Sequence, residues 1–286
     1  MTGRALPARI EAVVSDVDGT LLRSDKVLAP RTVVTIARLR GADIPLAIVS
    51  SRPPRGLTML VEGLAIITFV AAFNGGVIAR PDLSIVASHF IAPEVARHVI
   101  TAIESAGAEA WVFSGEDWLI RHRNGPRVDL EQRTVGFAPN VVEDFSMASE
   151  LAAKIVAVSD DGTLLTRLQH ELRGTLGERA NIVRSQSYYL DITHPLANKG
   201  DALLELGRLM NAAPSQIAVI GDGENDIALF EKAGLTIAMG NAAPGVAETA
   251  DFITSSNDTD GAAAAIDWFV LRGKRSAIPH VGQDVA

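Results

Sequence analysis

Ile10-Glu-Ala-Val-Val-Ser-Asp16-Val-Asp18-Gly19-Thr20 is the stretch that decides the class of this chain. The run up to Asp16 is short and rich in valine, then breaks at Gly19, which predicts a buried strand ending in a loop. Two carboxylates, Asp16 and Asp18, therefore stand at the C-terminal end of a buried strand. Beyond it, the segment from about Pro30 to Arg40 predicts a helix, with proline at its start and Gly41 at its stop. A second buried run, Ile44 to Val49, ends at Ser50, Ser51 and Arg52. Pro53 and Pro54 open another helix, and Phe69 to Phe73 predicts a third strand ending at Asn74, Gly75 and Gly76.

The rhythm changes from about Leu83 to Ser187. A helical Pro93 to Ala106, alternating strands near Glu109 to Phe113 and Trp118 to Arg121, and a helical stretch after Asp161 predict an inserted α+β unit. Past Tyr188 the earlier rhythm returns, with a strand to Ile192, a helix from about Lys199 to Met210, the strand Ile217 to Ile220, a helix from about Asn225 to Ala233 and the strand Thr236 to Met239. Strands alternating with helices predict an α/β fold, a doubly wound, Rossmann-like parallel sheet with right-handed crossovers. The expected core is discontinuous, 1–82 and 188–286, around an insertion at 83–187. Residues after about Leu271 lose periodicity and are expected to fray.

The 286 residues leave room for two compact units, and 48% hydrophobic with 21% charged residues describes a chain able to bury a sizeable core. There is no cysteine, which excludes disulfides and thiolate metal sites. Met1 to Ile10 carries arginines with no apolar run like a signal peptide's behind them, so the cytoplasm is expected. The longest apolar stretch, Leu64 to Phe73, is far shorter than a spanning helix, and no membrane partner is expected. A net charge of -8 with 5% aromatic residues argues against a nucleic-acid partner. A small anionic substrate stays compatible, because one metal ion and one lysine invert the field inside a cleft.

In an open parallel sheet, ligands bind beyond the carboxyl ends of the strands. Four polar clusters fall there or at a helix start: Asp16-Val17-Asp18-Gly19-Thr20, Ser50-Ser51-Arg52, Asn198-Lys199-Gly200, and Gly221-Asp222-Gly223-Glu224-Asn225-Asp226. In this order they resemble the four core motifs of the haloacid dehalogenase superfamily, specifically its Cof-like branch (type IIB), which carries a large α/β cap. The resemblance runs over nearly the whole chain, though in the cap it rests on position and general pattern.

It implies an Mg²⁺-dependent phosphatase acting on a small phosphorylated metabolite, with sugar phosphates the family's commonest class. Asp16 is then the nucleophile, since a carboxylate can attack a phosphoryl centre whose charge a metal offsets. Asp18 is the general acid and base. Asp16, the backbone carbonyl of Asp18 and Asp222 are the protein's share of the metal shell, with Asn225 and Asp226 in support. Ser50 hydrogen-bonds a phosphoryl oxygen, Lys199 offsets charge between nucleophile and phosphate, Asn74 touches substrate and Asn198 the phosphoryl group. The family usually has Thr-Gly-Arg where this chain has Ser50-Ser51-Arg52, which keeps the hydroxyl and adds a side chain near the phosphate.

Plainer readings exist for several of these residues. Asp16, Asp18 and Asn74 also suit turns, and Asp222 and Asp226 suit a loop and a helix start. Lys199 points the other way, because a lysine in a helix's first turn opposes the dipole. Ser159-Asp160-Asp161-Gly162-Thr163 imitates the first motif with serine at the nucleophile position, and predicts a helix N-cap. The six histidines show no paired metal spacing, and Trp111 and Trp118 read as core of the insertion. Rival functions are a phosphotransferase such as a hexose-phosphate mutase of the same branch, which needs a bisphosphate activator, and a noncatalytic phosphometabolite sensor, which binds without turnover.

Overall fold

The computed structural model describes residues 6–274, 276 and 278. Much of the tail expected to fray lies outside these residues.

The chain begins with β1 (Ala12–Ser15), α1 (Pro30–Gly41) and β2 (Leu46–Val49), then a 3-10 turn, Pro54–Leu57, that runs into α2 (Thr58–Leu64). β3 (Val70–Ala72), β4 (Val77–Ala79) and β5 (Ile85–Ser88) complete this half. Next come α3 (Pro93–Ser105), β6 (Glu109–Ser114), β7 (Asp117–Ile120), α4 (Val128–Val135), β8 (Asn140–Val141), β9 (Ala152–Val158), α5 (Gly162–Leu176), β10 (Asn181–Gln186) and β11 (Tyr189–Thr193). The last third holds α6 (Lys199–Met210), β12 (Ile217–Gly221), α7 (Ile227–Lys232), β13 (Leu235–Ala238), α8 (Pro244–Ala247), β14 (Phe252–Ile253) and α9 (Gly261–Ala265).

Two sheets result. The eight-stranded sheet has the order β14-β13-β12-β1-β2-β3-β4-β5, parallel from β14 to β3 and antiparallel at β4 and β5. Its central strands are buried at every residue, as a sheet covered on both faces requires. Ala12 and Val14 pack with Leu203, Leu206 and Leu229 of α6 and α7, while Val13 packs with Ile36, Leu39 and Leu60 of α1 and α2. Each buried valine, leucine or isoleucine among them contributes about 1.5–3 kcal/mol. The six-stranded sheet, β10-β11-β9-β6-β7-β8, is antiparallel except at β7–β8, and α3 and α5 cover one of its faces.

Sheet membership corrects the expected boundaries at 83 and 187. Ile85–Ser88 is an edge strand of the eight-stranded sheet, and Tyr189–Thr193, expected in the core, pairs antiparallel with β9 and β10. The physical reason is visible in Tyr189-Leu-Asp191-Ile-Thr193. It alternates larger polar and aliphatic residues, the mark of a strand with two unlike faces, where a central parallel strand reads as a continuous apolar run. The chain crosses between the sheets in two linkers, and His89 and His194 stack there with ring centroids 5.3 Å apart.

Candidate active site

β1 lies between β12 and β2, so the loops leaving these three strands share one edge of the sheet. Asp16 follows β1 directly, Asp222 follows β12, Ser50 follows β2, and Lys199 is the first residue of α6. Close approach of the loops needs glycine twice. Gly19 has φ +84°, and a Cβ there would fall 2.2 Å from Asp222 Oδ2; a Cβ on Gly221 would fall 2.4 Å from Asp226 Cγ.

Lys199 is 1% exposed and donates to Asp16 Oδ1 at 2.7 Å and Asp226 Oδ1 at 2.6 Å. The other oxygen of Asp226 accepts the backbone N–H groups of Asp222 and Gly223, both at 2.9 Å. Asp226 is thus spent on Lys199 and its own loop. Asp222 accepts from Thr20 Oγ1 at 2.8 Å and from Asn241 Nδ2 at 3.3 Å, and Asn241 also holds the Gly19 carbonyl at 2.9 Å.

One oxygen from each of Asp16, Asp222 and Asp226 lies within 4.8 Å of the others. Three carboxylates face one ammonium, an excess of negative charge that burial makes costly. Burial pushes the Asp16 carboxyl up, to about 8, against the lowering by Lys199, and the neighbouring Asp226 and Asp222 add to the rise. Asp222 is raised for the same leading reason. An all-oxygen set with excess negative charge fits a hard divalent cation such as Mg²⁺, with Asp16 and Asp222 as the carboxylates left with capacity to bind it.

Asp18 points elsewhere. Arg52 grips it with two bonds, Nε to Oδ2 at 2.7 Å and Nη2 to Oδ1 at 2.8 Å, and Lys26 Nζ donates to Oδ1 at 2.8 Å. Burial would raise this carboxyl, but the bonds and charge of Arg52, joined by Lys26, outweigh it and hold Asp18 below the usual carboxylate range. Its side chain is therefore separate from the cluster.

Ser50 is buried, and its hydroxyl accepts the Arg52 backbone N–H at 3.1 Å. Asn74, in the left-handed region at φ 58°, donates its backbone N–H to the Ser50 carbonyl at 2.7 Å and accepts from Asn225 Nδ2 at 3.1 Å. Asn225, expected to support the metal shell, makes this contact with Asn74. Asn198, expected at the phosphoryl group, is the N-cap of α6: its oxygen accepts from Asp201 N at 2.9 Å and its amide donates to Asp201 Oδ2 at 2.7 Å. Asp161 caps α5 through Thr163 N and Leu164 N, and Trp111 and Trp118 are buried, both as expected.

Sequence reasoning placed Arg52 and Thr20 in its polar clusters without a role, and missed Lys26 and Asn241. Arg52 and Asn241 carried a usable signal, since each is a polar residue just past a buried parallel strand. The partners of Thr20 and Lys26 depend on how the loop after β1 turns, which spacing does not reveal.

The family model for haloacid dehalogenase-like hydrolases matches residues 13–266. An HMP-PP phosphatase of Cronobacter sakazakii is 28% identical over 229 residues, 80% of this chain and 84% of that protein. A haloacid dehalogenase-like hydrolase from Bacteroides thetaiotaomicron superposes with a TM-score of 0.84 at 28% identity, over 91% of this chain and 99% of that one. A subclass IIB sugar phosphatase shares the fold, at TM-score 0.79 and 19% identity, over 90% of this chain and 98% of its own. With its motifs gathered at one sheet edge and the family match spanning both sheets, the chain belongs to the haloacid dehalogenase-like hydrolases, in the Cof-like branch, and is a phosphatase of that family.

Proposed function

We propose that the protein is an Mg²⁺-dependent phosphatase that hydrolyses a small phosphorylated metabolite, a sugar phosphate or similar phosphomonoester, through an aspartyl phosphate on Asp16. The observation that carries this reading is the charge imbalance at the strand ends, the buried Asp16 and Asp226 and the half-buried Asp222 against Lys199. Asp16, Asp222 and the Asp18 carbonyl would hold the cation, which when bound offsets the negative charges that meet as carboxylate approaches phosphate.

Asp16 forms a bond to phosphorus as the ester bond breaks, and Asp18 gives its proton to the leaving oxygen. Asp18 then takes a proton from the water that attacks phosphorus, restoring Asp16 and releasing phosphate. The salt bridges of Asp18 to Arg52 and Lys26 suit an ionised carboxylate, the form needed for the second step. A substrate phosphate competes for those two cations and so frees Asp18 from the contacts that depress its pKa, which favours the protonated form needed first. Lys199 fixes the nucleophile, and the buried Ser50 hydroxyl is assigned to a phosphoryl oxygen. Asn74 and Asn225 line the substrate's entry, and the six-stranded unit serves as the cap. The HMP-PP and sugar phosphatases among the relatives support a small phosphorylated substrate.

The test is phosphate release from a panel of sugar phosphates, nucleotides, cofactor phosphates and a chromogenic aryl phosphate, with Mg²⁺ and with chelator. Release that needs the metal is expected. Silence across the panel, with transfer appearing on addition of a bisphosphate, would make the protein a phosphotransferase instead.

A further inference from the structure

The loop after β1 continues into a small hairpin. Leu22 pairs with Leu28, and the Arg23 N–H donates to the Val27 carbonyl at 3.1 Å. Its tip carries Lys26, whose Nζ donates to Asp18 Oδ1 at 2.8 Å. Lys26 stands in the left-handed region at φ 66°, which a long side chain seldom adopts unless the surroundings impose it. Ser24, Asp25, Lys26 and Val27 are all exposed, so packing does not fix the tip.

A second loop does, between β14 and α9. Asp258 lies 234 positions from Ser24, yet it accepts the Ser24 N–H on Oδ1 and the Ser24 hydroxyl on Oδ2, both at 2.8 Å. Asp260 Oδ1 accepts from Arg23 Nη2 at 2.9 Å. The buried Asn257 donates from Nδ2 to the Leu22 carbonyl at 2.9 Å. Three residues of one loop thus hold Leu22, Arg23 and Ser24 in turn. The loop is itself fastened to the site: the Asn257 N–H donates to Asn241 Oδ1 at 3.0 Å, and Asn241 also holds the Gly19 carbonyl and Asp222. It has no slack at α9, where a Cβ on Gly261 would fall 1.9 Å from the Ser255 carbonyl oxygen.

Stability does not account for these contacts. Both bonds to Asp258 are exposed, and exposed polar pairs add little to a fold. What they fix is a position, and the position is that of the ammonium beside Asp18.

Building on the phosphatase reading above, we propose that Asn257, Asp258 and Asp260 are positioning residues for the reaction, pinning the hairpin 22–28 so that Lys26 stands at Asp18 and at the phosphoryl group. None of the three touches the substrate; they act through Lys26.

The experiment is a double-mutant cycle. It measures kcat and KM with Mg²⁺ on 4-nitrophenyl phosphate and on the fastest substrate of the panel above, beside a thermal melt of each variant. Lys26→Gln and Asp258→Ala are each expected to lose about tenfold in kcat/KM, and the double variant no more than Lys26→Gln alone, within about twofold. The melting temperature of Asp258→Ala should stay within about 3 °C of the wild type. Asp258→Asn should recover most of the activity, because its amide oxygen accepts the Ser24 N–H and its amide nitrogen donates to the Ser24 hydroxyl. Should Asp258→Ala fail to fold, Ser24→Ala, which deletes one of the two bonds, replaces it in the cycle with an expected loss of about threefold. Where Lys26→Gln leaves too little turnover for the cycle, the recovery in Asp258→Asn decides. Losses that multiply in the double variant, no loss in Asp258→Ala, or no recovery in Asp258→Asn overturns the assignment. So does an unchanged Lys26→Gln, which leaves the phosphatase reading standing. A wild type silent on every substrate overturns that reading and this inference with it.

Discussion

The two buried ionic clusters of this protein are built on opposite terms. At the strand ends of the core, Lys199 binds two carboxylates, and both Asp226 oxygens are occupied. On the inner face of the cap sheet, one lysine meets one aspartate whose second oxygen has no partner. Buried charge with its hydrogen bonds made, as at Asp226, fixes a geometry, whereas a buried oxygen without a partner carries a desolvation cost. On the function proposed above, the core cluster carries the chemistry.

The contrast can be broken at several points. Asp16→Asn should lower turnover by about 10³-fold or more with the fold intact, because an amide cannot attack phosphorus; phosphate release beside a thermal melt checks it. Lys199→Met strands Asp16 and Asp226 without their cation and should cost about 3–5 kcal/mol in urea unfolding. Replacing the cap pair together, Lys154→Met with Asp191→Leu, should change stability by no more than about 1 kcal/mol in the same assay. A large loss there would make the cap pair structural and erase the difference.

The pH dependence separates the clusters further. With Asp16 raised to about 8 in the metal-free protein, protons and Mg²⁺ compete for it. The folded state binds this proton more tightly than the unfolded chain, so the contribution of Asp16 to stability falls as pH rises from about 4 toward 8. Mg²⁺ should then raise the melting temperature more at pH 8 than at pH 5.5, and a shift independent of pH would count against Asp16 as a ligand. Asp18 moves the other way: Arg52→Gln removes the clamp and raises its pKa, so the basic limb of the kcat/KM profile, set by the protonated form that the first step needs, should shift to higher pH. The smallest effect is expected at Asp161→Ala, about 1 kcal/mol from the lost cap of α5 and no change in kcat/KM, as befits an imitation of the first motif.

The core was legible because its signals are local. Asp16, Ser50 and Asp222 each follow a short apolar run, and a parallel sheet carries such ends to one edge whatever the strand order. Lys199 was legible because it opens a helix where the dipole disfavours it. For Asn198 and Asn225 spacing did not reveal the local bonds that each makes, the helix cap and the Asn74 contact. The cap cluster was not legible at all. Lys154 and Asp191 are 37 positions apart and meet only through an antiparallel register, and a one-residue slip would turn either to the other face. The alternation in Tyr189-Leu-Asp191-Ile-Thr193 was the available clue, and it also separates this strand from the parallel sheet.

Rapid acid quenching during turnover, followed by mass analysis of the peptide containing Asp16, addresses the central claim most directly. With Mg²⁺ and substrate present, phosphate is expected on Asp16, absent with chelator and absent in Asp16→Asn. Sustained phosphate release by Asp16→Asn, with no phosphorylated peptide in the wild type, would contradict it.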